Sequence, residues 1–311
     1  MNNANNTNFK SGFISIIGRP NVGKSTLLNA LIGSKVSIVS EIPQTTRFQV
    51  RGILNMENAQ IVFVDTPGIH SFKKSFIQHL NTVAKKSIEG IEGILYVVDV
   101  SREPGEEEED IMRFVASAGL PTIMAFNKID TGGENEEDFR KLWQTVLKET
   151  QKPDPVKKYI RISALKGKNL DELKEALLDL LPAGHPYYEK DTLTDFPLKF
   201  RISDIIREKL FYFLKKELPH SVAVEIETIE DRSENEKGLI YISAIIYVNR
   251  DSQKKIIIGK GGQLLKKVGS LAREELEQIF NKKVYLELFV KVVKDWQKSP
   301  RILRELGYWW T

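Results

Sequence analysis

The chain of 311 residues contains no cysteine, which excludes a disulfide framework and a thiolate metal centre. Its four histidines stand without ligand spacing, so structural zinc is not expected either. No apolar run approaches the ~20 residues needed to span a bilayer. The opening residues 1–10 are polar and asparagine-rich; they lack the apolar stretch of a secretory signal and are expected to be disordered. There is no internal repeat. What remains is 41% hydrophobic and 28% charged, a composition that folds in water. The length suggests two domains of about 180 and 115 residues.

Against that background, residues 18–25, Gly-Arg-Pro-Asn-Val-Gly-Lys-Ser, form a complete phosphate-binding loop pattern. The apolar run from Phe13 to Ile17 before it reads as a buried strand, and Leu27, Leu28, Ala30, Leu31 and Ile32 after it as one face of a helix. The glycines let the backbone curl until successive N–H groups and the helix N-terminus face an anion. In such a loop Lys24 reaches the β- and γ-phosphates and the Ser25 hydroxyl is placed for Mg²⁺. Asn21, Gly23 and Thr26 are further nucleotide-binding candidates. A glycine turn with a chance lysine is the bland alternative, and the strand–loop–helix setting weighs against it. The expected ligand is a nucleoside triphosphate.

The base must be read elsewhere. Asn127-Lys128-Ile129-Asp130 follows the apolar run 122–126, which reads as another parallel strand. A carboxylate at Asp130 can accept two hydrogen bonds from the ring N–H and exocyclic amino group of guanine. Adenine lacks that donor pair and leaves the carboxylate unpaired, a penalty of a few kcal/mol or ~10⁴-fold. Asn127 can bond the base edge and brace the phosphate loop, while the Lys128 stem packs along the ring. Ser163 and Ala164, after the short apolar run 159–162, can offer backbone N–H groups to the guanine carbonyl. Each string is weak alone; their order after the phosphate loop makes them strong together.

Asp65-Thr66-Pro67-Gly68 completes the set at the exit of the run 61–64. Asp65 is expected to hold Mg²⁺ through water, and the Gly68 N–H to meet the γ-phosphate. In Gln44-Thr45-Thr46-Arg47 one threonine should cap the metal, with Thr46 favoured over Thr45. The metal set is therefore Ser25, Thr46 and Asp65, and the catalytic set Lys24, Thr46 and Gly68. Ile69 stands where many small GTPases carry a water-orienting glutamine. An aliphatic side chain cannot do that, so slow basal hydrolysis is expected, judged against ~10⁻⁴ s⁻¹ for unassisted enzymes that have the glutamine. Residues 37–51 and 68–82 should reorder between GTP and GDP. The acidic run 106–110 reads as a solvated helix start.

After residues 181–186, rich in proline and glycine, the periodicity changes. The expected layout is a GTPase domain over 11–182, a linker over 183–197 and a second domain from 198. That second part runs helix, strand, strand, helix, Gly259-Lys260-Gly261-Gly262, helix, strand, and this order resembles a prokaryotic-type KH domain. A glycine-lined turn admits nucleic-acid backbone closely, with Lys260 and the next helix N-terminus meeting phosphate. Ile257, Ile258, Leu264 and Leu265 can carry splayed bases, and Lys266 and Lys294 add charge. Trp296 has two readings, stacking on a base or packing the tail onto the sheet. Tyr308, Trp309 and Trp310 read as packing anchors. Between Lys254 and Arg304 there are 13 basic and 5 acidic residues, whereas residues 1–184 balance at 23 each. Positive charge concentrated beside that turn favours RNA.

The strings GRPNVGKSTLLNALIG, PQTTR, DTPG, NKID and SALKGKNLDEL, in this order and with the second-half pattern, resemble the Era family of ribosome-assembly GTPases. The resemblance covers the chain from about Phe13. It implies an α/β P-loop GTPase domain, with a mostly parallel sheet and helices on both faces, followed by an α+β KH-like domain. It also implies GTP hydrolysis with Mg²⁺, and binding of the 3′ end of small-subunit (16S) ribosomal RNA in 30S assembly. From related families, Asn21 implies a potassium ion beside the phosphates. The resemblance further suggests a monomer in the cytoplasm with weak peripheral contact at the inner membrane face. Two other readings stay open: a nucleotide-gated RNA chaperone with negligible turnover, and a membrane-surface signalling GTPase.

Overall fold

The structure, a computed structural model, describes residues 9–37, 50–65, 90–132, 134–214, 221–232 and 238–306. Among these, the first unit is built on six strands: β1 (Lys10–Ile17), β2 (Val50–Asn55), β3 (Ala59–Asp65), β4 (Gly93–Asp99), β5 (Thr122–Asn127) and β6 (Val156–Arg161). They lie in the order β2-β3-β1-β4-β5-β6. Only β2 runs antiparallel to its neighbour; the other pairings are parallel. β4 and β5 are buried along their whole length, as parallel strands covered on both faces must be.

Strand alternation divides the core in two. Leu95 and Val97 of β4 join Ile14, Ile16, Ile123 and Ala125 beneath α1 (Lys24–Ile32) and α4 (Leu170–Leu178). Ile94, Tyr96 and Val98 join Met124 and Phe126 on the opposite face, beneath α2 (Glu106–Ala118) and α3 (Glu136–Thr150). Every loop that carries an expected nucleotide-binding residue leaves the C-terminal end of a parallel strand, where open α/β sheets bind ligands.

Two expected boundaries change. Lys10 is not part of a disordered opening: it starts β1 in register with Ala59, and its ammonium donates to the Leu178 carbonyl at 2.9 Å. Residues 1–8 lie outside the described residues. The expected linker 183–197 is, up to Asp195, part of the first unit, and the chain divides between Asp195 and Phe196. This segment is laced to β2 and β3. The buried Gln60 accepts the amides of Tyr187 and Tyr188 at 2.7 and 3.0 Å and donates to the Tyr188 carbonyl. Asn55 donates to the Thr192 carbonyl and the Ile53 amide to that of Leu193, each at 2.9 Å. Arg51 closes the series on Asp195 at 3.1 Å. The proline and glycine at 181–186 mark the end of the α/β pattern and not the division between units: β2 presents backbone groups that need partners, and the following chain supplies them.

The second unit contains α5 (Leu198–Phe213), β7 (Ala223–Asp231), β8 (Leu239–Val248), α6 (Asp251–Ile258), α7 (Gln263–Phe280), β9 (Lys283–Val292) and α8 (Pro300–Glu305). Its sheet has the order β7-β8-β9, antiparallel then parallel. One sheet face packs on α5 and α7 through Ile242, Ala244, Ile246, Ile206, Leu210, Val268 and Leu276. On the other, Trp296, Ile302 and Leu306 cover Ala223, Ile245 and Tyr247.

Candidate functional site

The phosphate loop runs from the end of β1 into α1. Its N-cap, Gly23, has φ 99° and carries no capping side chain, so the first-turn amides of α1 open into the loop. A Cβ at Gly23 would lie 2.5 Å from Asn127 Nδ2, and one at Gly18 would lie 2.3 Å from the Val97 carbonyl oxygen. Both positions therefore require glycine. Asn21 lies in the left-handed region, φ 61°, and is exposed. Lys24 is buried, and its ammonium donates to the Gly18 and Arg19 carbonyls at 2.8 and 2.6 Å. Ser25 and Thr26 follow in the first turn of α1, both half-buried.

Asn127, 2% exposed at the end of β5, ties this loop to the loop that carries Ser163 and Ala164. Its Nδ2 donates to the Val22 carbonyl at 2.7 Å, and its Oδ1 accepts the Ala164 amide at 2.9 Å. Both amide atoms are thereby committed to the two loops it joins. Ser163 is fully buried and its hydroxyl oxygen accepts the Lys166 amide at 3.1 Å, which tightens the turn displaying Ala164. Asp130 is exposed on the 3₁₀ turn Ile129–Thr131. Lys128, at φ 67°, donates to Asp99 Oδ2 at 2.7 Å. Burial alone would raise the Asp99 carboxyl, but hydrogen bonds from Lys128 and Ser101 outweigh it and hold the group below the ordinary carboxylate range. The charged partner fixes the Lys128 stem beside the loop.

In the second unit, the turn between α6 and α7 has Gly259 at φ 74°, Gly261 at 59° and Gly262 at 77°. Lys260 and Gly261 are exposed, as are Lys266 and Lys267 on the first turns of α7. Two expected RNA-facing residues do not face outward. Ile257 is fully buried in the core, and the exposed member of that run is Ile256, at 53%. Trp296 is 2% exposed, with its Nε1 donating to the Ser221 carbonyl at 3.0 Å, so it packs the tail and cannot stack on a base. Ile258 is half-buried and Lys294 exposed.

Comparison with known proteins agrees with both halves. A family model described as "50S ribosome-binding GTPase" matches residues 13–128, and a KH domain model matches residues 217–297. GTPase Era of Geotalea daltonii is 44% identical over 300 residues, covering 96% of this chain and 98% of the relative. GTPase Era of Heliobacterium modesticaldum is 45% identical over 299 residues, covering 96% and 97%. The chain belongs to the GTPase Era family. Two solved Era structures superpose with TM-scores of 0.84, each over 96% of this chain and 99% of the other. One is an Aquifex aeolicus Era variant bound to GDP and AlF4⁻, 41% identical. The other is an Era complex with MgGDPNP and nucleotides 1506–1542 of 16S ribosomal RNA, 42% identical.

For an Era-family enzyme the metal is Mg²⁺, and Ser25 is the expected donor whose side chain is described. Ser25 is the second residue of α1, and the backbone of Asp65 ends β3 in register with Ile16 of β1. Among the described residues no group of three or more histidine, cysteine, aspartate or glutamate side chains could cage a metal. A few hard oxygen donors with phosphate and water completing the shell is the Mg²⁺ pattern. Thr45, Thr46, Gly68 and Ile69 lie outside the described residues, as do Tyr308, Trp309 and Trp310.

Three residues in contact with these loops were given no role by the motifs: Asp99, Arg19 and Glu108. Asp99 could have been suspected as an acidic residue ending a fully apolar strand. The acidic run 106–110 is not wholly solvated, because Glu108 is 1% exposed. Its carboxylate accepts the Tyr96 hydroxyl and lies 3.5 Å from Arg19 Nη1.

Proposed function

We propose that this protein is a GTP-hydrolysing RNA switch that binds the 3′ end of small-subunit ribosomal RNA and acts in assembly of the 30S subunit. The observation that carries the reading is the pairing, on one chain, of a braced phosphate loop with an exposed, glycine-lined turn flanked by lysines. Lys24 and the α1 amides hold the phosphates, Asp130 reads guanine, and Ser163 and Ala164 close over the base carbonyl. Ser25 and Asp65, with Thr46, hold Mg²⁺, which when bound neutralises charge on the phosphates. The Gly68 amide meets the γ-phosphate. Asn21 is proposed to help hold potassium, and equal hydrolysis rates in potassium and sodium buffers would dispose of that role.

At the other site, Lys260 and the α7 N-terminus take RNA phosphate, and Ile256 replaces Ile257 as the apolar residue beside the turn. The Era complex with a 16S ribosomal RNA fragment supports this choice of RNA. Among the described residues no helix is long and apolar enough to cross a membrane, and RNA accounts for the basic charge without a lipid surface. The protein works as a cytoplasmic monomer in this reading. Ile69 makes unassisted turnover slow, and cognate RNA raises it.

Crosslinking RNA to the GTP-loaded protein and sequencing it should recover the small-subunit 3′ end. Changing Lys260 to Ala together with Gly261 to Asp should lower recovery by about tenfold or more, since each phosphate contact adds to affinity. Coupling is reciprocal, so RNA affinity should differ between GDP and a GTP analogue. Indistinguishable affinities in the two states would remove the switch.

A further inference from the structure

The first turn of α2 reaches back to the phosphate loop through a partly buried ion cluster. One oxygen of Glu108 accepts the hydroxyl of Tyr96, which rises fully buried from β4. The other lies 3.5 Å from Arg19 Nη1. Glu107 places a second carboxylate 3.4 Å from Arg19 Nε. Arg19 is the second residue of the phosphate loop, and its carbonyl, with that of Gly18, receives the Lys24 ammonium. Arg102 Nη2 donates to the next carbonyl, that of Pro20, at 3.5 Å. An exposed acid would complement the N-terminus of α2 equally well, so helix capping does not explain why Glu108 is buried.

We propose that Glu108 is a positioning residue for nucleotide binding: it holds the Arg19 guanidinium and thereby fixes the two carbonyls on which the Lys24 ammonium rests. This rests on reading residues 18–25 as the phosphate cradle. Glu108 touches no nucleotide; it acts through Arg19.

The test is Glu108→Gln in the full chain, with release of a fluorescent GDP analogue followed in time. The substitution keeps shape and an acceptor for Tyr96 but removes the charge. Release should accelerate about tenfold, equivalent to about 1.4 kcal/mol. Glu109→Gln, in the same turn but paired with Arg113, should change it by less than about twofold. Combining Glu108→Gln with Arg19→Lys should be no worse than the more severe single change, because the two residues act as one unit.

A pH profile separates positioning from simple structural support. The groups facing Glu108 are Arg19 from the loop, Tyr96 from β4, Arg102 from the β4–α2 connection and Glu107 beside it. Burial pushes the Glu108 carboxyl up, against the opposing pull of Tyr96, Arg19 and Arg102. The ionised form holds Arg19, so wild-type release should quicken on acidification through this titration, while the Gln variant stays flat. A raised carboxylate contributes stability when protonated, and that contribution is lost as pH rises. Unchanged release, or a lowered melting temperature with parallel pH profiles, overturns the proposal. Lys24→Ala tests the reading beneath it: normal binding there removes the cradle itself. Lost binding there with unchanged release in Glu108→Gln removes only the role of Glu108.

Discussion

Replacing Asp130 by asparagine should transfer the preference of the site from GTP to xanthosine triphosphate, with GTP affinity lowered by roughly 10⁴-fold. Guanine presents two adjacent donors, which a carboxylate accepts and an amide cannot. Xanthine carries a carbonyl in place of the amino group and accepts the new amide N–H. Asp130 is exposed on a short 3₁₀ turn, so the substitution should change folding stability by no more than about 0.5 kcal/mol. The loss then reports on recognition alone. Competition of GTP and xanthosine triphosphate against a fluorescent GDP analogue measures it. A variant that still prefers GTP would show that guanine is read elsewhere.

A smaller but still large loss is expected at Asn127, for a different reason. Asn127→Ala leaves the Val22 carbonyl and the Ala164 amide without the partners they have at 2.7 and 2.9 Å. Stranding a buried polar group costs about 1–3 kcal/mol, and here two are stranded on the two loops that Asn127 joins. Affinity for both GDP and GTP should fall by at least ~10²-fold. Asn127→Asp is the sharper test. A carboxylate still accepts from Ala164 but sets oxygen against the Val22 carbonyl oxygen, so this near-isosteric change should be as damaging as alanine. Titration calorimetry with GDP decides it. If the Asp variant binds like wild type, the brace has no part in holding nucleotide.

The main architecture was legible because its signals are redundant. β4 and β5 are continuous apolar runs ending in Asp99 and Asn127, and strands buried between helices in a parallel sheet read that way. The phosphate loop is likewise bounded by a strand and a helix whose patterns agree. Elsewhere the signal was single or absent. Ile256, Ile257 and Ile258 form an apolar run too short to reveal which member turns inward, and the eight-residue α6 buries the middle one. Trp296 suited a base or the sheet equally, until a distant acceptor, the Ser221 carbonyl, accounted for its indole N–H. Glu108 was hidden in a run of five acids, because nothing local distinguishes the one that meets Tyr96. Of the candidate site, the reach of Asn127 to Val22 and Ala164 lies entirely within described residues. The threonine and glycine expected near the γ-phosphate do not.

The segment laced along β2 also bears on how the first sheet behaves toward other chains. β2 and β6 are its two outermost strands, and an unpaired outer strand is a template for adding a foreign one. The two are guarded differently. β2 is sealed by its own chain, through the Leu193 carbonyl and the Thr194–Gly52 bridge. β6 is protected by charge, with Lys157 and Lys158 exposed along it. Neither margin of the sheet is thus left inviting to aggregation.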